Sequence, residues 1–308
     1  MKVLLTGGTG FVGRAVASSL LSAGIELHLA GRKQEQRCDG SIWHTADALK
    51  SGEMASVVES VRPDTIVHLA WCVEHGRFWH TPENLDWVAA TLALAHAAAR
   101  AGTRRFVGVG TCYEYEWPSD GNCSEAATPL AAHTLYDVCK DASRRVLLRH
   151  CADNGMSFSW ARLFFLYGPF ESPRRLVPSV ASALAAGRRA KTTSGRAERD
   201  FMDVRDAGAA IAALALSNIS GAINIGSGRV VLVSSVIRKL CELAGRPDLI
   251  GLGALPDRED EPPRIVADIT RLRDELGFVP SISLEKGLAD ALEFWRTHAT
   301  VELVGRKD

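Results

Sequence analysis

Two periodicities share the first half of the chain. Short apolar runs at Val3–Leu5, Ile25–Ala30, Ile42–His44, Thr65–Leu69 and Phe106–Val109 predict buried strands. Between them, Arg14–Ser22, Met54–Val61 and the alanine-rich Leu85–Arg100 carry apolar residues at helical spacing. A further helix is predicted over Thr134–Asn154 and a strand over Ser157–Leu163. Strands alternating with helices predict an α/β chain built on a parallel, doubly wound sheet. Its crossovers should be right-handed and its ligand should sit at the carboxyl ends of the strands. Beyond Gly168-Pro169 the character changes. Helices at Leu176–Ala186, Ala207–Leu216, Ser234–Leu243 and Leu284–Trp295 mix with short strands and Pro/Gly loops. The loop-rich segments Lys191–Arg199 and Gly251–Pro263 read as site-lining material.

The first strand runs directly into Thr6-Gly7-Gly8-Thr9-Gly10-Phe11-Val12-Gly13. Glycines at 7, 10 and 13 let backbone approach a ligand where a Cβ would clash. The helix behind them offers N–H groups and a partial positive charge to a pyrophosphate. A glycine triplet alone is a weak signal; a strand before it and a helix after it supply the context of a dinucleotide site. Counted from Gly13, Gly31 in Leu29-Ala30-Gly31-Arg32-Lys33 falls where NAD-preferring chains carry a carboxylate for the ribose 2′-OH. With no carboxylate there and two cations following, a 2′-phosphate is not repelled and Arg32 and Lys33 can pair with it. The charge argument favours NADP(H), with NAD(H) as the alternative.

Composition narrows the class. The 308 residues carry no formal net charge, with 46% hydrophobic and 23% charged residues, and the cations are scattered. That balance argues against a nucleic-acid surface or an anionic-membrane surface. No apolar run is long enough to span a bilayer, and the apolar start reads as the first strand, not a targeting segment. The seven cysteines lack any C-x-x-C spacing. They read as scattered reduced thiols of a cytoplasmic protein, with no metal site.

Tyr136 and Lys140 are four residues apart in a predicted helix and so share a face. A nearby ammonium is expected to lower the phenol pKa toward neutrality. The pattern is weak alone, since most such pairs lie on surfaces; behind a glycine fingerprint it gains weight. Thr111, at the end of the strand Phe106–Val109, supplies a hydroxyl.

Together these residues resemble the extended short-chain dehydrogenase/reductase family, in its nucleotide-sugar epimerase, dehydratase and 4-ketoreductase group. The resemblance runs through Thr6–Gly13, Ala46-Asp47, His68-Leu69-Ala70, Thr111, Tyr136/Lys140 and Arg162…Tyr167-Gly168-Pro169. It continues through Arg199-Asp200-Phe201…Val204-Arg205-Asp206, Asn224-Ile225-Gly226 and Leu276-Gly277-Phe278-x-Pro280. It implies a Rossmann-type domain over 1–168 and a smaller mixed α/β substrate lobe over 169–308, with chain returning to the first sheet. It implies Tyr136 as proton donor or acceptor, Lys140 on the nicotinamide ribose and Thr111 on the reacting oxygen. It also implies Gly7, Gly10, Phe11, Val12 and Gly13 on the pyrophosphate, Asp47 and Ala48 by the adenine, and Leu69 and Ala70 packed by the cofactor. Arg199 and Arg258 match positions that hold the sugar-nucleotide diphosphate, a task that suits the planar guanidinium fork.

Three departures refine the reading. Gly31 is one. After Thr111, dehydratases of the family carry Asp-Glu, whereas this chain has Cys112-Tyr113-Glu114. If the segment is extended, Glu114 faces the wrong side, which disfavours water elimination. Phe165 stands where many relatives carry Asn, and a phenyl ring cannot make that residue's hydrogen bonds. Trp71, Trp87 and the segment Cys72–His80 also differ from relatives; His75, Arg77 and His80 read as loop-surface residues. Val107–Trp117 further resembles abequose- and paratose-type synthases.

The expectation is an NADPH-dependent reductase of a 4-keto-6-deoxy nucleotide sugar, acting as a homodimer through the helices Leu85–Arg100 and Thr134–Asn154. The alternatives are an NAD-dependent nucleotide-sugar epimerase with the same Thr/Tyr/Lys set, a reductase of a non-nucleotide carbonyl compound, and a non-catalytic NADP-sensing protein.

Overall fold

The computed structural model describes residues 1–33, 40–118, 121–258 and 261–304, with side chains described to His298. The first half runs β1 (Lys2–Thr6), α1 (Phe11–Ser22), β2 (Glu26–Gly31), β3 (Ile42–Thr45), α2 (Glu53–Val61), β4 (Thr65–His68), α3 (Glu83–Ala101), β5 (Arg105–Thr111), α4 (Leu135–Asp153) and β6 (Ser157–Leu163). The second half runs β7 (Phe165–Tyr167), α5 (Leu176–Ala185), β8 (Ala190–Lys191), β9 (Glu198–Arg199), β10 (Phe201–Asp203), α6 (Val204–Leu216), β11 (Gly221–Ile225), β12 (Val231–Leu232), α7 (Val233–Leu243), β13 (Ile250–Gly251), β14 (Arg264–Ile265) and α8 (Leu284–Val304).

Seven parallel strands form the main sheet in the order β3-β2-β1-β4-β5-β6-β11. Side chains alternate across it as a pleat requires. Val3 and Leu5 of β1 face α1 and α6, packing with Val16, Leu20, Ile211 and Leu214. Leu4 faces the other way, with Val58 of α2, Leu94 of α3 and Leu147 of α4. With both faces covered, the central strands are continuous apolar runs, the pattern of a buried parallel sheet.

The elements beyond β7 pack α5, α7 and α8 around Val180, Val236, Leu240, Leu288 and Trp295. Two segments expected as loops carry short strands. In Lys191–Arg199, β9 pairs with β12 and β14, and β8 at its start pairs with β13. Residues 259–260 of the other segment lie outside the described residues. The edge strand β11 and the helix α6 both come from chain beyond residue 168 and complete the main sheet and one of its layers. Strand order reverses between β1 and β4, so the crevice at their carboxyl ends is where such a sheet takes its ligand.

Candidate active site

The glycine turn after β1 is shaped by contacts that leave no room for side chains. Gly7 has φ +72°, and a Cβ there would lie 2.8 Å from Ala70 N. A Cβ on Gly13 would lie 2.0 Å from Gly7 O. Gly10 caps α1 with backbone alone, and no side chain occupies the cap. A turn packed too tightly for a Cβ at Gly7 or Gly13, at the N-terminus of a helix, fits a dinucleotide pyrophosphate. Leu69 and Ala70 form its opposite lip. Buried His68 sets that lip: its Nδ1 lies 2.7 Å from Thr6 Oγ1 and its Nε2 lies 2.9 Å from Thr91 Oγ1. Ala70 N–H donates to Thr6 Oγ1 at 3.3 Å. Burial, with the Lys140 charge second, drives His68 down to about 3, so the imidazole is neutral.

Gly31 ends β2, and a second reason for glycine appears there: a Cβ would lie 2.8 Å from Trp43 Cη2. Arg32 and Lys33 are exposed beyond it. Asp47 and Ala48 follow β3, with the Asp47 N–H donating to Glu53 Oε2 at 2.6 Å.

Thr111, Tyr136 and Lys140 are all buried. Thr111 ends β5, and its hydroxyl accepts from Tyr113 N–H at 3.2 Å, leaving its own proton to donate. Thr134 caps α4, exchanging hydrogen bonds with Asp137, and so fixes the turn that carries Tyr136. Lys140 Nζ donates to Val109 O at 2.9 Å and lies 5.8 Å from the Tyr136 ring centroid.

The electrostatics differ from the expectation. The phenol of Tyr136 is pushed up, not down: burial dominates, with the carboxylates of Asp137 and Glu114 adding to it. Lys140 is itself moved, to about 7, by burial, against a partial restoring pull from Glu114. In a dry site the cost of the charged form outweighs the mutual attraction of a phenolate and an ammonium.

Glu114 corrects a second expectation. Cys112–Glu114 form a single 3-10 turn instead of continuing the strand. The turn swings the carboxylate inward to zero exposure. There it accepts from Thr111 N–H at 3.0 Å, Trp160 Nε1–H at 3.0 Å and Arg162 Nε–H at 2.8 Å. Arg162 also donates to the Tyr115 hydroxyl, which donates to Asn224 Oδ1. With these partners taken, the carboxylate is a structural anchor beneath Thr111.

On the far side of Tyr136, aromatic rings run outward: Trp79 to Tyr113 at 4.8 Å between centroids, then Tyr113 to Phe165 at 6.3 Å. The Arg199 guanidinium lies 5.3 Å from the Phe165 centroid, is almost wholly buried, and bonds Glu261 Oε1 at 2.9 Å. Arg258 is exposed. Arg175, at the start of α5, was not singled out from sequence. Its charge, with those of Arg258 and Arg174, acts on His75, and it also acts on Tyr113 and Tyr136. The ordinary-looking Arg174-Arg175 pair gave no motif to find. His75 is half-buried, while His80 is exposed and Arg77 pairs at the surface with Glu74 and Glu83. Among the described residues no cluster of His, Cys, Asp and Glu could hold a metal ion, and no helix is long and apolar enough to cross a membrane.

Residues 3–226 match the model of the NAD dependent epimerase/dehydratase family. The chain belongs to that family. The family chain is 28% identical to the dTDP-6-deoxy-L-talose 4-dehydrogenase (NAD(P)(+)) of Kitasatospora kifunensis, over 97% of this chain and 96% of that one. Its fold matches MoeE5 in complex with UDP-glucuronic acid and NAD, with TM-score 0.84, 28% identity, and coverage of 96% of this chain and 99% of that one. It also matches DesIV, a dTDP-glucose 4,6-dehydratase from Streptomyces venezuelae, with TM-score 0.86, 23% identity and 98% of each chain covered. This epimerase/dehydratase family member is therefore an NAD(P)-dependent enzyme with nucleotide-sugar epimerase, dehydratase or dehydrogenase activity.

Proposed function

We propose that the enzyme reduces a 4-keto-6-deoxy nucleotide sugar with NADPH. The observation that carries this reading is the buried Thr111–Tyr136–Lys140 set beside a Glu114 already committed to Arg162. A reductase needs one proton donor at the carbonyl oxygen. Water elimination needs a further acid and base, and Glu114 is not free to be either.

Bound in the glycine cradle, NADPH supplies the hydride. Tyr136, kept protonated by its buried setting, donates its proton to the carbonyl oxygen. Thr111 donates a hydrogen bond to the same oxygen and polarises it. Lys140 bonds the nicotinamide ribose and supports the phenolate formed as the proton leaves. Gly7, Gly10, Phe11, Val12 and Gly13 hold the pyrophosphate, with Leu69 and Ala70 opposite and Asp47 and Ala48 by the adenine. Arg32 and Lys33 pair with the 2′-phosphate. Arg199 and Arg258 bind the sugar-nucleotide diphosphate, which takes the place of Glu261 on Arg199. Two chains pair through α3 and α4.

The test is cofactor oxidation at 340 nm with 4-keto-6-deoxy sugars on dTDP, CDP and GDP. NADPH consumption above NADH is expected, with Tyr136→Phe lowering turnover by about 10²–10⁴-fold. Sugar conversion without net cofactor consumption, with NAD retained by the protein, would overturn the reductase in favour of an epimerase.

A further inference from the structure

Lys140 has a neighbour that no motif of the family reading accounts for. Its Nζ stands 3.9 Å from the centroid of the Trp71 indole, directly over the ring face. The indole is itself fixed. Its Nε1–H donates to Asn84 Oδ1 at 2.8 Å. Asn84 has no exposed surface, and its Nδ2 donates to Phe78 O at 2.8 Å and Thr81 O at 3.0 Å. Trp87 stacks on Trp71 at 6.2 Å, and Tyr136 meets it edge-on at 6.4 Å. The loop after β4, the start of α3 and the reactive face of α4 are thus joined through one ring.

We propose that Trp71 is a positioning residue for Lys140: its anchored indole face holds the lysine Nζ beside Tyr136 and favours the ammonium form.

A cation against an aromatic face is attracted by the ring quadrupole, and the attraction grows when water is excluded. Lys140 needs that help, because burial disfavours its charge. The other groups that act on it are the Glu114 carboxylate after β5, which favours the charge, and Tyr136 on its own helix. His68 of β4 is neutral and adds no competing charge. The Trp71 face, at 3.9 Å, is the nearer of the two ring faces that favour the ammonium, the Tyr136 ring standing at 5.8 Å. The lysine's remaining direct contact is the Val109 carbonyl, which accepts one of its three protons. This inference rests on reading Lys140 as the ligand of the nicotinamide ribose.

The test needs no sugar substrate. NADPH affinity is measured from the cofactor's own fluorescence between pH 5 and 9. In the wild type it should weaken on a basic limb as Lys140 loses its proton. Removing the indole makes the ammonium less favourable, so in Trp71→Leu the limb should move to lower pH by roughly one unit. Trp71→Phe keeps a weaker ring face and should move it less.

Should Trp71→Leu fail to fold, fluorine provides a probe with almost no steric change. Replacing the seven tryptophans with mono- and then difluorotryptophan drains charge from the ring face. The limb should step to lower pH with each fluorine, and the same series in Trp71→Phe should show no step. A limb that stays put in every variant overturns the proposal, as does a fluorine response that persists in Trp71→Phe. If the wild type binds neither NADPH nor NADH, the ribose reading of Lys140 falls as well, which separates the two failures.

Discussion

The carboxylates show most directly how single residues depart from what their positions in the chain suggest. Glu114 could be seen in the sequence as a displaced member of a dehydratase pair, but not as the buried partner of Arg162. That pairing depends on a one-turn 3-10 helix and on a residue 48 positions later. Tyr136 and Lys140 were legible as a pair because i, i+4 spacing is local. The direction of the phenol's shift was not legible, because desolvation is set by Trp71, Phe78 and Trp79 closing over it from another segment.

Glu171 is a further case, and it carries a prediction. It is buried beside the glycine turn, with Oε2 unpartnered, and burial lifts its carboxyl from 4.5 to about 8 despite the opposing charge of Arg175. The folded protein therefore keeps a proton that the unfolded chain gives up. Stability from this group is fully present below about pH 4.5 and is lost as pH rises through about 8. Urea unfolding at pH 6 and pH 9 should show the wild type losing on the order of a few kcal/mol that Glu171→Gln does not lose. Equal losses in both proteins would refute the assignment.

Among the elements, the alternation of apolar runs located the parallel strands of the first half, because all but the edge strand β3 are largely buried on both faces. The start of α1 was read late: it begins at Phe11, inside the glycine motif, since the turn itself supplies the cap, whereas α5 and α8 start where they were read, at Leu176 and Leu284. Short strands such as β8 and β9 escaped notice because two residues carry no periodicity. They exist through pairing with chain far along the sequence.

The β1–α1 turn makes a sharp prediction. Gly13→Ala would place a methyl group 2.0 Å from Gly7 O. Helix α1 must then move off the turn, so NADPH binding by fluorescence should be lost while circular dichroism retains the α/β signature. Unchanged affinity would mean that the turn is not the pyrophosphate cradle.

In the whole molecule, the apolar residues left outside fall partly on the helices proposed to pair. Leu85 of α3 and Val138, Val146 and Leu148 of α4 are among the exposed large hydrophobics. Val146→Glu should convert a dimer to a monomer in light scattering, because two like charges would meet in a drying contact. A wild type that is already monomeric would remove α3 and α4 as the pairing surface.

The contact of α1 with α6 reaches further. Gly208 lies so close to α1 that a Cβ would be 2.5 Å from the Ala15 carbonyl carbon. Val16 and Leu20 are covered by Ile211 and Leu214 from beyond the middle of the chain. On the ribosome, then, α1 emerges with β1 and β2 to pack on but with its α6-facing stripe uncovered. That stripe stays uncovered until α6 follows nearly two hundred residues later. Until then that stripe is shielded by something other than its native partner, so a helix made well before α6 is finished only after it.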